Sequence, residues 1–188
     1  MVTLDSNNYA CLASMDQYLG DQAPHTVNAL GNPEILSKKS LALFCSNKCP
    51  GKIIIQTYDF VRELRDLGAT IISGFHSAIE RECCAILLRG SQPIIYCPAR
   101  SVDGMTLKPE FKKPLDEGRL LILSPFHKKH RRISADLADR RNHFVAALAA
   151  AVVVPYAAPG SKTEKFCSEL RAWNKGVYTF SDSSPELP

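Results

Sequence analysis

The chain has 188 residues, of which 45% are hydrophobic and 22% charged, and its 23 Lys and Arg against 19 Asp and Glu give a formal net charge of +4. This composition is that of a globular protein with room for one domain and a substantial core, and it excludes low-complexity classes. No apolar run reaches transmembrane length and no charged start precedes an apolar segment, so we expect neither a membrane span nor a secretion signal.

The seven cysteines lie mostly in apolar segments, and their odd number is not typical of a disulfide framework. They favour a reducing cytoplasm, and therefore a cytoplasmic protein. Cys45 and Cys49 flank a loop, and Cys83 directly precedes Cys84, but neither pair has the C-x-x-C spacing of a zinc site. We expect buried thiols, no bound metal and no cofactor.

Residues 1–39 contain no clear strand signal before 27–36 and predict an irregular or partly helical N-terminal extension. From residue 40 onward, short apolar runs alternate with helical patterns. The runs predict strands at 41–45, 70–72, 93–97, 119–124, 151–155 and 177–180. The helical patterns lie at 55–67, 80–89, 143–150 and 163–174. Residues 181–188 predict a flexible tail.

The predicted strands are apolar without alternation, which indicates burial on both faces. Helices of ten or more residues between such strands indicate βαβ units. We therefore predict a Rossmann-like, doubly wound α/β domain over residues 40–180, with a mostly parallel sheet and helices on both faces.

The clearest strand–turn–helix transition covers residues 70–80. Gly74 lets the chain turn without a Cβ clash, and Ser77 with Glu80 forms a capping box at the start of the helix. N–H groups at such a helix start can bind a phosphate. Glu80 fits the capping role better than that of a general base, and Ser161 with Glu164 forms a second candidate box.

A basic segment lies between residues 127 and 141, after the strand that ends at Ser124. Its cations are Lys128, Lys129, Arg131, Arg132, Arg140 and Arg141, and its only carboxylates are Asp136 and Asp139. Open α/β sheets bind ligands at this edge, so the segment is either a phosphate-binding surface or a solvated one. Arg141 itself either makes a bidentate phosphate contact, beside a helix that begins near Asn142, or pairs with one of the two aspartates.

Other residues after predicted strands allow two roles each. Phe75 and Phe126 can stack on a base or pack in the core. Arg100 can contact phosphate or pair with Asp103. His76 can carry a proton, or be a solvated or ligand-stacking group.

Three blocks of sequence occur in the order seen in the DprA/Smf-like DNA-processing family. Residues 73–80 read Ser-Gly-Phe-His-Ser-Ala-Ile-Glu, 141–148 read Arg-Asn-His-Phe-Val-Ala-Ala-Leu, and 160–163 read Gly-Ser-Lys-Thr. They resemble the family's Ser-Gly-x-Ala-x-Gly-Ile-Asp, Arg-Asn-Arg-Ile-Ile-Ala-Gly-Leu and Ser-Gly-Ser-Leu-x-Thr-Ala. The resemblance covers residues 31–180, and the family lies within a broader superfamily of lysine-decarboxylase-like nucleotide-binding proteins.

The resemblance implies single-stranded DNA binding at this sheet edge, homodimerisation, and a recombination protein as partner. We expect a DNA-processing or nucleotide-binding protein that holds single-stranded nucleic acid or a nucleotide through its phosphates, with no catalytic residue assigned. The predicted ligand residues are Ser46, Ser73, Gly74, His76, Arg131, Arg132, Arg141, Asn142, Gly160, Ser161 and Thr163. The chain departs from the family pattern at Asn47, where the family shows Arg, at His143, also Arg in the family, and at Glu80, where it shows Asp.

Two other functions stay open. Residues 159–164 partly match the Pro-Gly-Gly-x-Gly-Thr-x-x-Glu turn of nucleoside-monophosphate phosphoribohydrolases, which would make Glu80 or Glu164 an acid or base. Alternatively, the site is vestigial and the domain is a protein-interaction module.

Overall fold

A computed structural model describes residues 1–5 and 9–180 of the chain. Its centre is an eight-stranded sheet. The strands are β1 (Val2–Asp5), β2 (Thr26–Gly31), β3 (Ser40–Leu43), β4 (Thr70–Ser73), β5 (Ile94–Tyr96), β6 (Leu120–Ser124), β7 (Ala151–Val153) and β8 (Val177–Tyr178).

Seven α-helices accompany the sheet within the described residues. They are α1 (Ala10–Ala13), α2 (Asp16–Leu19), α3 (Gly51–Asp66), α4 (Ala78–Leu88), α5 (Pro109–Asp116), α6 (Ala135–Leu148) and α7 (Lys162–Ala172), and short 3₁₀ helices cover Gly20–Gln22 and Pro33–Ser37. None of the helices in this part of the chain is both long and apolar enough to cross a membrane.

The strand order is β1-β2-β6-β5-β4-β3-β7-β8. Strands β3 to β8 pair in parallel, whereas β1 and β2 run antiparallel at one edge. The chain builds outward from β3 to β6 and then returns to β7 on the other side of β3. This reversal confirms the predicted doubly wound α/β fold, and the loops after β3 and β7 diverge at the point where such sheets bind ligands.

Apolar side chains alternate between the two faces of the sheet. On β6, Leu121 and Leu123 join the cluster with α6 and α7, whereas Leu120 and Ile122 join the cluster with α3, α4 and α5. All four are buried, which is why the strand is apolar from Leu120 to Leu123.

The N-terminal segment is partly helical, as predicted, but it also contains strands that the prediction of an extension did not include. Residues 1–39 contribute two strands to the same sheet, with Ala29 of β2 opposite Leu123 of β6. In β1, Leu4 is the only buried residue, so its apolar pattern is too short to mark a strand. The division of the chain at residue 39 stays a prediction, and the tail predicted at 181–188 lies outside the described residues.

Two helices differ from the sequence-based expectation. Helix α6 begins at Ala135, not near Asn142, because the Ser134 hydroxyl caps it by accepting a hydrogen bond from Leu137 N–H at 3.2 Å. Helix α5 was not predicted at all, since Pro114 lies within its short span.

Candidate functional site

A cleft of about 1510 Å³ opens at the carboxyl edge of the sheet. Its walls come from the loops after β3, β4 and β6, from α6 and α7, and from the N-terminal segment around α2. Of the predicted ligand residues, His76, Arg141, Asn142 and Thr163 line this cleft. The other seven lie outside its lining. Several of them, such as Ser46, Ser73 and Ser161, form hydrogen bonds that hold the surrounding loops.

Glu80 organises the floor of the cleft. One carboxylate oxygen, Oε1, accepts a hydrogen bond from Cys45 N–H at 3.0 Å, and Oε2 accepts from His76 N–H at 2.7 Å and Ser77 N–H at 3.2 Å. The Ser77 hydroxyl accepts in turn from Glu80 N–H, which completes the predicted capping box. The buried carboxylate therefore occupies the N–H groups that an incoming phosphate would need.

Among the described residues, Arg141 is the one buried Lys or Arg side chain, with 3% of its surface exposed. Its Nη1 donates to the Cys97 carbonyl at 2.9 Å and its Nε donates to Asn142 Oδ1 at 2.8 Å. Burial lowers the pKa of Arg141, and the nearby Glu80 carboxylate opposes that shift. Within the described residues Arg141 forms no ion pair with Asp136 or Asp139. Its hydrogen bond to the Cys97 carbonyl instead connects α6 to the loop after β5.

Gly74 lies directly beneath this guanidinium. A Cβ atom at position 74 would overlap Nη1 and Cζ of Arg141. The glycine is therefore required for close approach of the arginine rather than for a positive φ.

Two serines fix the loops after β3 and β4. The fully buried Ser73 hydroxyl donates to the Leu43 carbonyl at 2.7 Å and accepts from Phe75 N–H at 3.1 Å. Phe75 has a φ of 43° and packs in the core, as one of its two predicted roles required. Ser46, also buried, accepts from Ala158 N–H at 3.0 Å and so joins the loops after β3 and β7.

The loop after β6 repeats this arrangement. Ser124 Oγ donates to the Arg100 carbonyl at 2.8 Å and accepts from Phe126 N–H at 3.2 Å. Phe126 is buried, and the Arg140 guanidinium lies 5.7 Å from its ring centroid. Asp103 accepts a hydrogen bond from Ser101, and it forms no ion pair with Arg100 in the part of the chain that the structure describes.

The start of α7, like that of α4, carries a glutamate whose carboxylate accepts a backbone hydrogen bond. Ser161 Oγ accepts from Glu164 N–H at 3.1 Å, and Glu164 Oε2 accepts from Gly160 N–H at 2.7 Å. At the starts of α4 and α7, a carboxylate of the chain itself thus neutralises the positive end of the helix, whereas α3 has no acidic residue in its first turn.

The basic segment divides into two groups. Arg131 and Arg132 are exposed in the loop after β6, together with Lys128 and Lys129. None of these four makes an ion pair within residues 1–5 and 9–180. They lie outside the cleft lining, whereas Arg140 and Arg141 line it.

An aromatic wall, which the sequence did not reveal, lines the cleft on the side of α7. It consists of Tyr18, His143, Phe166 and Trp173. The rings of Tyr18 and Trp173 lie 5.4 Å apart, and His143 lies 5.6 Å from Trp173 and 5.1 Å from Phe166. Only the departure at His143 from the family pattern pointed toward this wall.

His143 is held by two acceptors. Its Nδ1 lies 3.0 Å from the Asp139 carbonyl and its Nε2 lies 3.0 Å from Glu169 Oε2. The contact with Asp139 lies within α6, whereas the contact with Glu169 joins α6 to α7, and together they fix the orientation of the ring.

The cysteines do not form a metal centre among the described residues, where no group of three or more ligating side chains suits a metal ion. All seven are free thiols. Burial raises the pKa of Cys83, Cys84 and Cys97 to about 12, so these thiols stay protonated.

Comparisons with known proteins agree with this architecture. The sequence model of the family described as DNA recombination-mediator protein A matches residues 1–180. Among solved structures, DNA processing protein A from Helicobacter pylori, described for its single-stranded DNA binding mode, superposes with a TM-score of 0.70 at 20% identity, over 87% of this chain and 75% of that one. DNA processing protein A (DprA) from Streptococcus pneumoniae gives a TM-score of 0.73 at 18% identity, over 97% of this chain and 63% of that one. No curated protein matches the sequence.

Proposed function

The chain belongs to the DNA recombination-mediator protein A family, and we propose that it binds single-stranded DNA at the carboxyl edge of its sheet. The observation that carries this proposal is the exposed cationic loop after β6, with Lys128, Lys129, Arg131 and Arg132 beside the cleft. Unpaired cations on an exposed loop attract the phosphates of a nucleic acid and release its counterions.

Phosphate capture would rest on side chains rather than on the starts of α4 and α7. Glu80 and Glu164 already accept hydrogen bonds from the backbone N–H groups at the starts of α4 and α7. Arg131 and Arg132 would contact phosphates directly, while His76, Asn142 and Thr163 would contact the ligand from the cleft lining. Ser46, Ser73, Gly74, Gly160 and Ser161 would shape the surrounding loops, and Arg141 would hold them in place.

The bonding of Glu80 supports capture rather than hydrolysis. Its carboxylate accepts three backbone hydrogen bonds and is 6% exposed. A general base needs a free lone pair within reach of the proton that it removes. Three of the roughly four lone-pair sites of this carboxylate already accept hydrogen bonds from the backbone, so its main role is structural.

Fluorescence anisotropy of a labelled single-stranded oligonucleotide, measured at low and moderate salt, tests the proposal. We expect tight binding at low salt that weakens steeply as salt rises. The Arg131→Ala, Arg132→Ala double variant should bind more weakly, and its log–log salt slope should be shallower by about 1.4, since each lost phosphate contact on a single strand contributes about 0.7.

The matched control is the Lys38→Ala, Lys39→Ala double variant. These exposed lysines precede β3 at the opposite, amino edge of the sheet, and the change in net charge is the same. Equal weakening in both double variants would contradict a site at the carboxyl edge. Absence of binding at low salt would contradict the proposed function itself.

We also propose, on the family resemblance, that the protein is cytoplasmic, forms a homodimer and acts with a recombination protein. Light scattering during size-exclusion chromatography tests the dimer, because a monomeric mass across the accessible concentration range would contradict it.

A further inference from the structure

We propose that the aromatic wall of Tyr18, His143, Phe166 and Trp173 is a nucleobase-stacking subsite. The inference rests on the proposed function and deepens it, because it divides the ligand between two surfaces. The phosphates bind the cationic loop after β6, and the bases enter the cleft.

The wall has the chemistry of a stacking surface. Its rings lie 5.1 to 5.6 Å apart in tilted and edge-on arrangements, which place several ring surfaces side by side along one wall. Tyr18, His143 and Trp173 are each half-buried, so part of every ring faces the cleft. Every nucleobase has a π-face, so such a surface accepts bases with little regard to sequence.

The buried aromatics elsewhere at this edge cannot serve this purpose. Phe75 and Phe126, which the sequence placed after strands as candidates for stacking, are 6% and 2% exposed. Their rings contact Tyr96 and His130 within the fold. On the aromatic wall, Tyr18, His143 and Trp173 are half-buried and can offer ring surface to a base, whereas Phe166 is 5% exposed and supports the ring of His143.

The charges of the cleft favour bases over phosphates in its interior. Its described lining carries five carboxylates, Asp21, Glu80, Asp136, Asp139 and Glu169, against four Lys and Arg, Arg140, Arg141, Lys162 and Lys165. Because carboxylates slightly outnumber the Lys and Arg side chains, the lining gives a polyanion little electrostatic attraction. The exposed cationic loop outside the cleft attracts it more strongly. Neutral bases carry no such repulsion, and carboxylates accept hydrogen bonds from their amino groups.

The wall is also built from both ends of the described chain. Tyr18 lies in α2 and Trp173 directly follows α7. Lys175 places its ammonium group 4.3 Å from the centroid of the Tyr18 ring and donates a hydrogen bond to the Ala147 carbonyl at 3.3 Å. These contacts hold Tyr18 beside Trp173 before any ligand arrives, which lowers the ordering cost of stacking.

The sole tryptophan of the chain is Trp173, so fluorescence excited selectively at tryptophan reports on the wall, without the emission of the six tyrosines. The experiment titrates the full chain with oligo(dT) and, separately, with an abasic oligonucleotide of equal length and phosphate number. We expect oligo(dT) to quench Trp173 emission, and the abasic strand to bind by anisotropy with little quenching. Binding of oligo(dT) without quenching would overturn the stacking proposal and leave the proposed function standing, whereas failure of both strands to bind would overturn the proposed function.

Tyr18→Ala gives an independent readout. We expect it to lower the affinity for oligo(dT) roughly 5- to 100-fold and to leave abasic binding unchanged, since base stacking has that magnitude. Tyr178→Ala is the matched control, because Tyr178 is an exposed tyrosine on β8 outside the cleft lining. Equal losses for both oligonucleotides in Tyr18→Ala, with an unchanged melting temperature, would contradict the proposal.

Discussion

The guanidinium of Arg141 rests on the backbone of Gly74, with no room between them for a Cβ atom. This contact connects the middle of α6 to the turn after β4. Because Arg141 also donates to the Cys97 carbonyl after β5, a single side chain links three elements at the edge where the cleft opens.

Gly74→Ala should therefore destabilise the protein by about 1–3 kcal/mol, the usual cost of overpacking a filled interior. Urea denaturation measures this change. Gly51→Ala is the control, since a Cβ there meets nothing within 4 Å at the start of α3 and should be neutral or slightly stabilising.

The same contact predicts coupling between the two positions. In an Arg141→Ala background, Gly74→Ala should cost less than it does in the wild type, because the atoms that it would meet are gone. Strictly additive free energies of unfolding in the double variant would contradict this contact.

Arg141→Ala alone should lower stability by about 2–3 kcal/mol, because the buried Cys97 carbonyl and Asn142 amide lose a charged donor. The exposed Arg131→Ala should change stability by less than about 0.5 kcal/mol. Thermal or urea unfolding of both variants checks the difference. If Arg141→Ala unfolded like the wild type, the tying role assigned to this arginine would be wrong.

Glu80→Gln should cost about 2 kcal/mol or more in free energy of unfolding. The amide keeps only one acceptor oxygen, so either Cys45 N–H or the pair His76 N–H and Ser77 N–H faces an NH₂ group. Glu82→Gln, at an exposed position on the same helix, is the control and should be near neutral. A stable Glu80→Gln variant that had lost turnover of a nucleoside monophosphate would instead favour the hydrolase.

Thiol reactivity should separate the seven cysteines. Burial raises the pKa of Cys83, Cys84 and Cys97 to about 12, and a protonated thiol is a poor nucleophile. At about pH 8, we expect iodoacetamide to alkylate the half-buried Cys11 and Cys49 first, with all seven modified in urea. Mass spectrometry of peptides measures the order, and equal rates at Cys97 and Cys49 would contradict it.

The same shifts have a consequence for stability at alkaline pH. Unfolded thiols ionise near pH 8.5, whereas these three stay protonated in the fold up to about pH 12. The contribution of these protonated thiols to the free energy of unfolding is therefore complete below pH 8.5 and is lost as the pH rises toward 12. Replacing Cys97 with Ala should reduce the alkaline fall in melting temperature.

The parallel part of the sheet could be predicted from sequence because both faces of each strand are covered. Ile71 and Ile72 point to opposite faces and are both fully buried, so local composition alone marks the strand. Strands β1 and β2 have less of this signal, because only Leu4 of β1 and only Val27 and Ala29 of β2 are buried.

Sequence motifs within one segment predicted contacts between neighbouring residues, but not contacts between residues far apart in the chain. Ser77 with Glu80 could be predicted as a capping box from spacing alone. The contact of Arg141 with Gly74 and the pairing of Tyr18 with Trp173 join distant segments, and no periodicity within either segment encodes them.

The placement of Tyr18 opposite Trp173 also sets an order of events during synthesis. The ribosome makes β1, α2 and β2 first, but β2 has no sheet to join until residues 120–124 have emerged. The aromatic wall closes later still, after α7 has been made. A nascent or truncated chain that ends before residue 173 therefore displays the cationic loop without the stacking surface, and the two halves of the proposed binding site mature at different times.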